Sequence, residues 1–188
     1  MMEFSVIDET EASELVVSVE DMKLFSRVDN DEEDALIEQL IQGVTAEAED
    51  VTHRTFAPRQ FTLAAELPLA DGTLPVFPVA SIESVKVDGD VILPELYALS
   101  MPSSLGRRTR PAVFVPLDGF PNEGSLEIVL KAGGSTPQPV VTWIKTRVST
   151  LYEQRESHAM FNTGLKFVEL GRDYAMALLD PYIVHGGF

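Results

Sequence analysis

The stretch that decides the fold is "VSVEDMKLFSRVDNDEEDALIEQLIQGVTAEAEDVTHRTFAP", residues 17–58. Ser18 is a favourable N-cap, and Met22, Leu24 and Phe25 after it can bury one side of a short first helix. The segment "RVDND" then interrupts the pattern. Asp29 or Asn30 can cap a second, longer helix over roughly residues 31–53, whose first turn is acidic, as the helix dipole favours.

The longer run carries a stripe of apolar side chains about two residues wide. Residues recurring at three- and four-residue spacing indicate that one face of this helix is buried. They are Leu36, Ile37, Leu40, Ile41, Val44, Ala48 and Val51. Gly43 lies in the middle, where it costs about 1 kcal/mol relative to Ala unless a neighbour packs closely against it. Both simple tolerance and a helix–helix contact fit this glycine.

A β-rich region follows the helices. Between Pro58 and Gly133 the chain contains short β-branched or aromatic runs separated by Pro and Gly, which predict an antiparallel sheet of five or six strands with Asp88-Gly89 as a hairpin turn. The runs are "RQFTLAAEL", "LPVFPV", "SIESVKV", "DVILPELYAL", "PAVFVPL" and "GSLEIVLKAG". The connection "AGGST" lacks the P-loop lysine and the spacing of a dinucleotide-binding motif, so it is interpreted as a strand-to-helix turn.

Helical periodicity returns after "GGSTPQP". Pro139 fits a first turn, and apolar residues on one face predict a helix that ends near Ser157. That face consists of Val140, Trp143, Ile144, Val148, Leu151 and Tyr152. Residues 1–17 show no sustained period and are predicted to be a mobile extension. Residues 158–188 are less regular and form a C-terminal tail with an apolar cluster near its end.

The charge is concentrated in the first quarter of the chain. The protein has 188 residues and a net charge of −16, and residues 1–50 hold 16 acids against the two bases Lys23 and Arg27, a net −14. Such a surface repels a phosphate backbone. The chain has no cysteine, no signal-peptide pattern and no apolar run long enough to span a membrane. These features predict a soluble, cytoplasmic protein that needs no disulfide.

The sequence shows no pattern typical of a catalytic or metal site. His53, His158 and His185 lack a second ligand at metal spacing. The run "DNDEED" lacks the central Gly and the final Glu of a calcium loop. We therefore predict no catalytic residue, no cofactor and no metal. Arg107, Arg108 and Arg110 lie in the polar segment "SSLGRRTRP", which is either a solvated loop or a contact with phosphate or with an acidic neighbour.

Three segments together resemble the head–tail connector (adaptor, or head-completion) proteins of tailed bacteriophages. The opening stretch resembles their capped short helix, "LRVD" segment, acidic "DDALI" helix start and "TGR"-like exit, here "VTHRTF". The segment "LEIVLKAGGSTPQPVVTWIKTRVSTLYEQRES" is similar to their strand, "AG" turn, Pro cap and long helix ending in "YENRE". The end "ALLDPYIV" is similar to their closing "LL-x-PYR-V" element, although Ile183 replaces the usual arginine. The three segments cover roughly half the chain, in the family's order.

The resemblance implies an α+β fold with a helical core, an inserted antiparallel β subdomain and a C-terminal docking tail. The connector domain spans residues 18–157, with helices at about 18–56 and 138–157 and the β insertion at about 58–133; the tail is 158–188. The implied core and subunit packing residues are Leu36, Ile37, Leu40, Ile41, Val44, Ile144, Val148, Leu151 and Tyr152. The implied portal-docking residues are Leu178, Leu179, Pro181 and Tyr182. Arg107, Arg108 and Arg110 are expected to contact an acidic neighbouring subunit.

The resemblance also implies a function: a structural virion protein that forms a homo-oligomeric ring of roughly a dozen copies. The ring would lie between the portal and a downstream stopper or tail protein, in the virion neck, after assembly in the host cytoplasm. DNA would pass through its channel without sequence-specific binding, and an acidic lining avoids the Lys and Arg contacts that hold DNA in place. A wide apolar stripe suits a subunit that packs one face on its own core and another on the next copy.

Two other classes of protein remain as alternatives. A small acidic enzyme would need a pocket with convergent polar groups, and the sequence shows no such set. An acidic DNA mimic would need acids spread over its whole surface, whereas residues 51–188 carry 14 acids against 12 bases.

Overall fold

The computed structural model describes residues 4–101, 111–157 and 176–184. They form three α-helices and antiparallel sheets, so the predicted α+β class is confirmed. The chain divides into two compact units. The β unit comprises Met1–Glu14, His53–Ser135 and Val184–Phe188, and the helical unit comprises Leu15–Thr52 and Thr136–Ile183. Most of the β unit is therefore inserted, in sequence, between the two halves of the helical unit.

The helical unit contains α1 (Val19–Ser26), α2 (Asp34–Thr52) and α3 (Gln138–Ser157). Ser18 caps α1 as predicted, because its hydroxyl accepts a hydrogen bond of 3.1 Å from the backbone N–H of Asp21. Arg27 ends the helix in the left-handed conformation, with φ of 58°. Pro139 lies in the first turn of α3, where a missing N–H costs nothing.

The helix α2 begins later than residue 31. The side chain of Asn30 accepts a hydrogen bond from the N–H of Glu32 and holds a turn before the helix. The α-helix then starts at Asp34, which is the only acid of its first turn. Asn30 thus stabilises a preceding turn and is not the N-cap, because its side chain bonds to a nearby N–H that precedes the helix.

The described residues of the β unit form seven strands. They are β1 (Ser5–Glu9), β2 (Arg59–Leu67), β3 (Val79–Val87), β4 (Asp90–Val91), β5 (Tyr97–Ser100), β6 (Val113–Pro116) and β7 (Gly124–Ala132). Five form an antiparallel sheet in the order β1-β2-β7-β3-β4, and β5 pairs with β6 in a separate two-stranded sheet. Asp88 and Gly89 both have positive φ, as a two-residue hairpin turn requires, and join β3 to β4 as predicted.

Alternating side chains of the central strands form the core of the β unit. Leu63 on β2, Val85 on β3 and Ile128 on β7 are fully buried. The ring of Phe114 stacks against Tyr97 at 5.4 Å and meets Phe120 edge-on at 5.7 Å, which attaches the β5–β6 hairpin to this core.

The segment "AGGST", residues 132–136, is a strand-to-helix connection, as predicted, since β7 ends at its first residue, Ala132, and α3 begins after it. Gly133 has φ of +87°, and a Cβ at this position would lie 2.6 Å from the backbone oxygen of Ala57. Only glycine allows the two backbone segments to approach this closely.

Three parts of the sequence-based prediction are wrong. The run "DVILPELYAL", residues 90–99, was expected to be one strand, but it divides into β4, a 3₁₀ turn at Pro94–Leu96 and the start of β5. Residues 1–17 were expected to be a mobile extension, but Ser5–Glu9 pairs with β2 and Phe4 is buried. The run "LPVFPV", residues 74–79, was expected to be a strand, but only its last residue belongs to one. Its two prolines lack an N–H for a strand ladder, and the carbonyl of Phe77 instead accepts a hydrogen bond from Thr55.

Candidate assembly surfaces

The apolar stripe of α2 separates into two lines of side chains. Ile37, Ile41 and Val44 belong to the first line and are at most 2% exposed. Leu36 and Leu40 belong to the second line and are half-buried. The first line is therefore core, and the second keeps apolar surface that a neighbouring molecule can cover. Leu40, which the sequence placed with the core residues, is only partly in the core.

The helix α3 shows the same division. Ile144 and Val148 are buried, whereas Leu151 and Tyr152 are half-buried. The Tyr152 hydroxyl donates a hydrogen bond to the carboxylate of Glu33, which precedes α2. A polar contact thus fixes the end of α3 beside the start of α2, where the apolar packing becomes incomplete.

Lys23 lies between two carboxylates in the most acidic part of the chain. Its ammonium group is 2.5 Å from Asp31 and 2.8 Å from Asp34. The hydrogen bond to Asp31, followed by that to Asp34, raises the pKa of Lys23 above its ordinary value of 10.5. The same contact lowers the pKa of Asp31 below 3.8. Lys23 therefore joins α1 to the turn that precedes α2.

Two further ion pairs connect the helices. Arg147 of α3 lies 3.3 Å from Glu47 of α2, and Lys145 of α3 lies 3.5 Å from Asp21 of α1. All four side chains are at least partly exposed, so each pair adds little free energy. Their effect is to fix which faces of the three helices meet.

The described residues expose nine large apolar side chains, and most are grouped in two parts of the chain. Met22, Leu24 and Phe25 were expected to bury one side of α1, but only Met22 is buried. Leu24 is 80% exposed and Phe25 is 47% exposed, at the end of the helix. Five others lie on or beside β4 and the β5–β6 hairpin, namely Val91, Leu93, Met101, Val115 and Leu117. The remaining two are Val6 and Ile7 on β1. Exposed apolar side chains that are grouped in this way are typical of interaction sites.

The C-terminal cluster is partly buried within this chain. Leu179 and Tyr182 are 0% and 6% exposed, whereas Leu178 and Pro181 are half-buried. Asp180–Tyr182 form a 3₁₀ turn. In this conformation Leu179 and Tyr182 are therefore unavailable to a partner, and docking through them needs the segment to move. Their docking role stays a prediction.

Several predicted residues lie outside the described ranges. They are the three arginines Arg107, Arg108 and Arg110, and the histidines His158 and His185. His53 ends α2 with φ of 53°. Within residues 4–101, 111–157 and 176–184, no group of three or more His, Asp or Glu side chains is arranged to hold a metal ion. None of the helices in these ranges is long and apolar enough to cross a bilayer.

The fold and these surfaces define an α+β protein with incompletely covered apolar helix faces and an acidic first quarter. The resemblance seen in the sequence is confirmed, since residues 16–84 match the model of the phage gp6-like head-tail connector proteins. No curated protein matches the chain.

Solved structures extend the similarity in fold to the whole chain. A chain from the neck of an empty GTA particle, computed with C6 symmetry, is 18% identical and superposes with a TM-score of 0.68. A chain from the virion of a native gene transfer agent (GTA) particle is also 18% identical, with a TM-score of 0.69. One from the neck of a native GTA particle, computed with C12 symmetry, has 18% identity and a TM-score of 0.62. In each case the match covers 100% of this chain and 98% of the other.

Proposed function

We propose that this protein is a structural head–tail connector of a phage-like particle, and not an enzyme. The observation that carries the proposal is the agreement between the family match over residues 16–84 and the similarity in fold, over the full chain, to chains of particle necks. The protein would form a ring between the portal and the tail, in the virion neck.

The half-buried line on α2 supports the ring. Leu36 and Leu40 keep apolar surface beside the fully buried Ile37 and Ile41. In a ring with head-to-tail contacts, each copy uses one surface toward the copy before it and a different surface toward the copy after it. A partly covered apolar line is suited to such a contact, because association removes its remaining surface from water.

The charge supports a passage for DNA that does not retain it. The exposed face of α2 carries Glu38 and Asp50 and has no base. Phosphate contacts by Lys and Arg release counterions and hold DNA in place, and this face cannot make them. We expect no measurable binding of the purified protein to duplex DNA, even at low salt, in a gel-shift assay.

Two contacts are proposed for residues named in the sequence analysis. Arg107, Arg108 and Arg110 contact an acidic surface of a neighbouring copy, since residues 1–50 carry a net −14 in every copy. Reversal of all three to Glu is expected to weaken assembly and leave the melting temperature unchanged. Lost DNA affinity with unaltered assembly would support the phosphate alternative.

The second contact is between the C-terminal cluster and the portal. Leu178 and Pro181 are accessible as the chain stands, and Leu179 and Tyr182 would follow if the segment opens. Deletion of residues 174–188 separates docking from folding. A truncated protein that melts normally and fails to join portal-bearing heads supports docking, whereas one that unfolds shows the segment to be part of the core.

Complementation tests the connector role itself. Heads from a particle that lacks this protein are mixed with purified protein and with tails, and joined particles are counted by negative-stain microscopy. We expect joining only when the protein is present, with a ring of density at the portal. A particle that joins its tail equally well without this protein refutes the role.

A further inference from the structure

We propose that a groove at one end of the β5–β6 hairpin binds an arginine side chain of another protein of the particle neck. The groove has a volume of about 540 Å³ and is lined by Glu95, Pro116, Leu117, Asp118, Phe120 and Asn122. This inference rests on the proposed connector function, which brings other proteins into contact with this chain, and it names a site and a ligand chemistry for one of them.

The backbone around the groove is held in place by hydrogen bonds. The N–H of Leu117 donates to the carbonyl of Leu96 at 2.8 Å, and the N–H of Phe120 donates to the carbonyl of Leu117 at 3.0 Å. Gly119 lies in this turn with φ of 90°, which glycine adopts without strain. The ring of Phe120 meets that of Phe114 edge-on in the core. The groove is therefore formed before a partner arrives, which lowers the entropy lost on binding.

Two carboxylates without partners lie in this groove. Glu95 and Asp118 are both exposed, and neither forms an ion pair or a hydrogen bond within the part of the chain that the structure describes. The carboxylate of Asp88, in contrast, accepts a hydrogen bond of 2.9 Å from the N–H of Ser125. A pair of unpartnered carboxylates in one groove favours a cationic ligand.

The described cations of the β unit are already occupied elsewhere. Arg54 is 4% exposed and lies over the ring of Phe77. The other three form ion pairs with acids outside the groove, namely Arg59 with Glu9, Lys86 with Glu127 and Lys131 with Glu83. The described part of the β unit therefore supplies no cation for Glu95 and Asp118.

The apolar side chains beside the carboxylates select arginine on a protein. Leu117 is 43% exposed and Val115 is 37% exposed. An arginine has an aliphatic stem that packs on such side chains and a planar head whose five N–H donors can reach two carboxylates at once. Asn122 adds an amide oxygen as a further acceptor. DNA is excluded as the ligand, because carboxylates repel its phosphates.

Amide chemical shifts of the isotope-labelled protein test the groove directly. The probe is N-acetyl-arginine methylamide, and the ligand control is its neutral isostere, N-acetyl-citrulline methylamide. We expect saturable shifts at the N–H groups of Leu117 and Phe120 with the arginine probe. Citrulline should bind at least roughly tenfold more weakly, because it cannot make charge-assisted hydrogen bonds to the carboxylates. Equal binding of the two ligands would overturn the assignment.

Variants without the carboxylates show whether the probe binds in the groove. Glu95→Gln with Asp118→Asn is expected to remove the saturable shifts. The matched control is Glu66→Gln with Asp8→Asn, which makes the same two changes at exposed positions on β2 and β1 and should bind like the wild type. All four acids are exposed, so both variants should keep the wild-type melting temperature. Equal loss of binding in the two variants would show a general charge effect and overturn the site.

A third variant tests whether the chain's own arginines use the groove. The residues between β5 and β6 follow the pair Ser100–Val113, whereas the groove lies at the other end of the hairpin, beside the pair Tyr97–Pro116. Substitution of Arg107, Arg108 and Arg110 by Gln should therefore leave the affinity for the probe unchanged. Roughly tenfold tighter binding would show that these arginines compete with the probe, and would overturn the assignment to another protein.

Joining of heads to tails connects the groove with the neck. Glu95→Gln with Asp118→Asn should reduce the number of joined particles by roughly tenfold, as loss of an interface anchor does, whereas the matched control should join normally. Normal joining by the groove variant would show that the groove takes only small free cations, and would overturn the docking of a protein there. If the wild-type protein itself fails to join heads to tails, the connector role is refuted, and the probe titration still decides whether the groove binds arginine.

Discussion

Truncation of Ile41 on α2 tests whether the buried line of the stripe holds the helical unit together. Ile41 is 0% exposed, and Ile41→Ala removes three buried carbons. At about 0.8 kcal/mol for each buried carbon the transfer contribution is roughly 2.4 kcal/mol. The cavity adds to this cost, so the free energy of unfolding should fall by about 3 to 4 kcal/mol, within the range of large-to-small core substitutions.

The chain supplies its own probe for this measurement. Trp143 is the single tryptophan, lies on α3 in the helical unit and is 4% exposed, so its fluorescence reports the unfolding of that unit. Urea titrations followed by this fluorescence give the change in free energy at constant m-value. Circular dichroism of the same samples shows whether the β unit unfolds in the same transition.

Leu40→Ala is the matched control, one residue earlier on the same helix. Leu40 is half-buried, so its truncation leaves a shallow depression and should cost about 1 to 1.5 kcal/mol. Equal losses at the two positions would refute the division of the stripe into a core line and a partly covered line. A loss at Leu40 larger than that at Ile41 would show that Leu40 is the core residue.

Two further predictions concern charge and glycine. Lys23→Met should remove the pH dependence that this lysine gives to the stability of the helical unit. The lowered pKa of Asp31 stabilises the folded state above about pH 3.8, and this stabilisation is lost as the pH falls below that value. The stabilisation that accompanies the raised pKa of Lys23 is lost only above pH 10.5. Melts followed by Trp143 fluorescence between pH 3 and 7 should therefore be less steep in pH for the variant, and identical slopes would contradict the contact. Gly43→Ala should stabilise the isolated chain by about 1 kcal/mol, since a Cβ there meets nothing within 4 Å, whereas Gly133→Ala should destabilise it by more than about 1 kcal/mol, because its Cβ would lie 2.6 Å from the Ala57 oxygen. Chemical denaturation of both variants decides this, and a destabilising Gly43→Ala would show a close neighbour at that position.

Elements with strong periodicity and clear end signals could be predicted from the sequence. The helix α3 was expected to end near Ser157 with Pro139 in its first turn, and both features are present. The run "RQFTLAAEL" coincides with β2, because it alternates buried and more exposed positions between breaking residues. In these elements the local pattern and the final burial agree, so local reasoning was sufficient.

The strand β1 could not be predicted because its local pattern carries no burial signal. All five of its residues are exposed, and it pairs with a strand almost sixty residues away, with Ser5 opposite Ala64. Backbone hydrogen bonds to β2 define this strand, and no hydrophobic period accompanies them. The strand predicted at residues 74–79 is absent for the opposite reason. The side chains there favour a strand, but the two prolines interrupt backbone pairing.

The candidate surfaces show a further limit of sequence reasoning. A stripe two residues wide on α2 indicates that more than one apolar contact exists, but the helical period alone does not say which line is core. The structure divides the stripe, because Ile37 and Ile41 are buried while Leu36 and Leu40 are left half-covered. In a monomer, the half-buried leucines keep apolar surface in water, and Gly43 beside them has open space around it, so this arrangement adds no stability. A copy in a ring does gain, because the same residues supply apolar area and close approach to the next subunit. If Gly43→Ala stabilises the isolated chain and still lowers ring occupancy, the glycine is retained for assembly and the second line of the stripe faces the neighbouring copy.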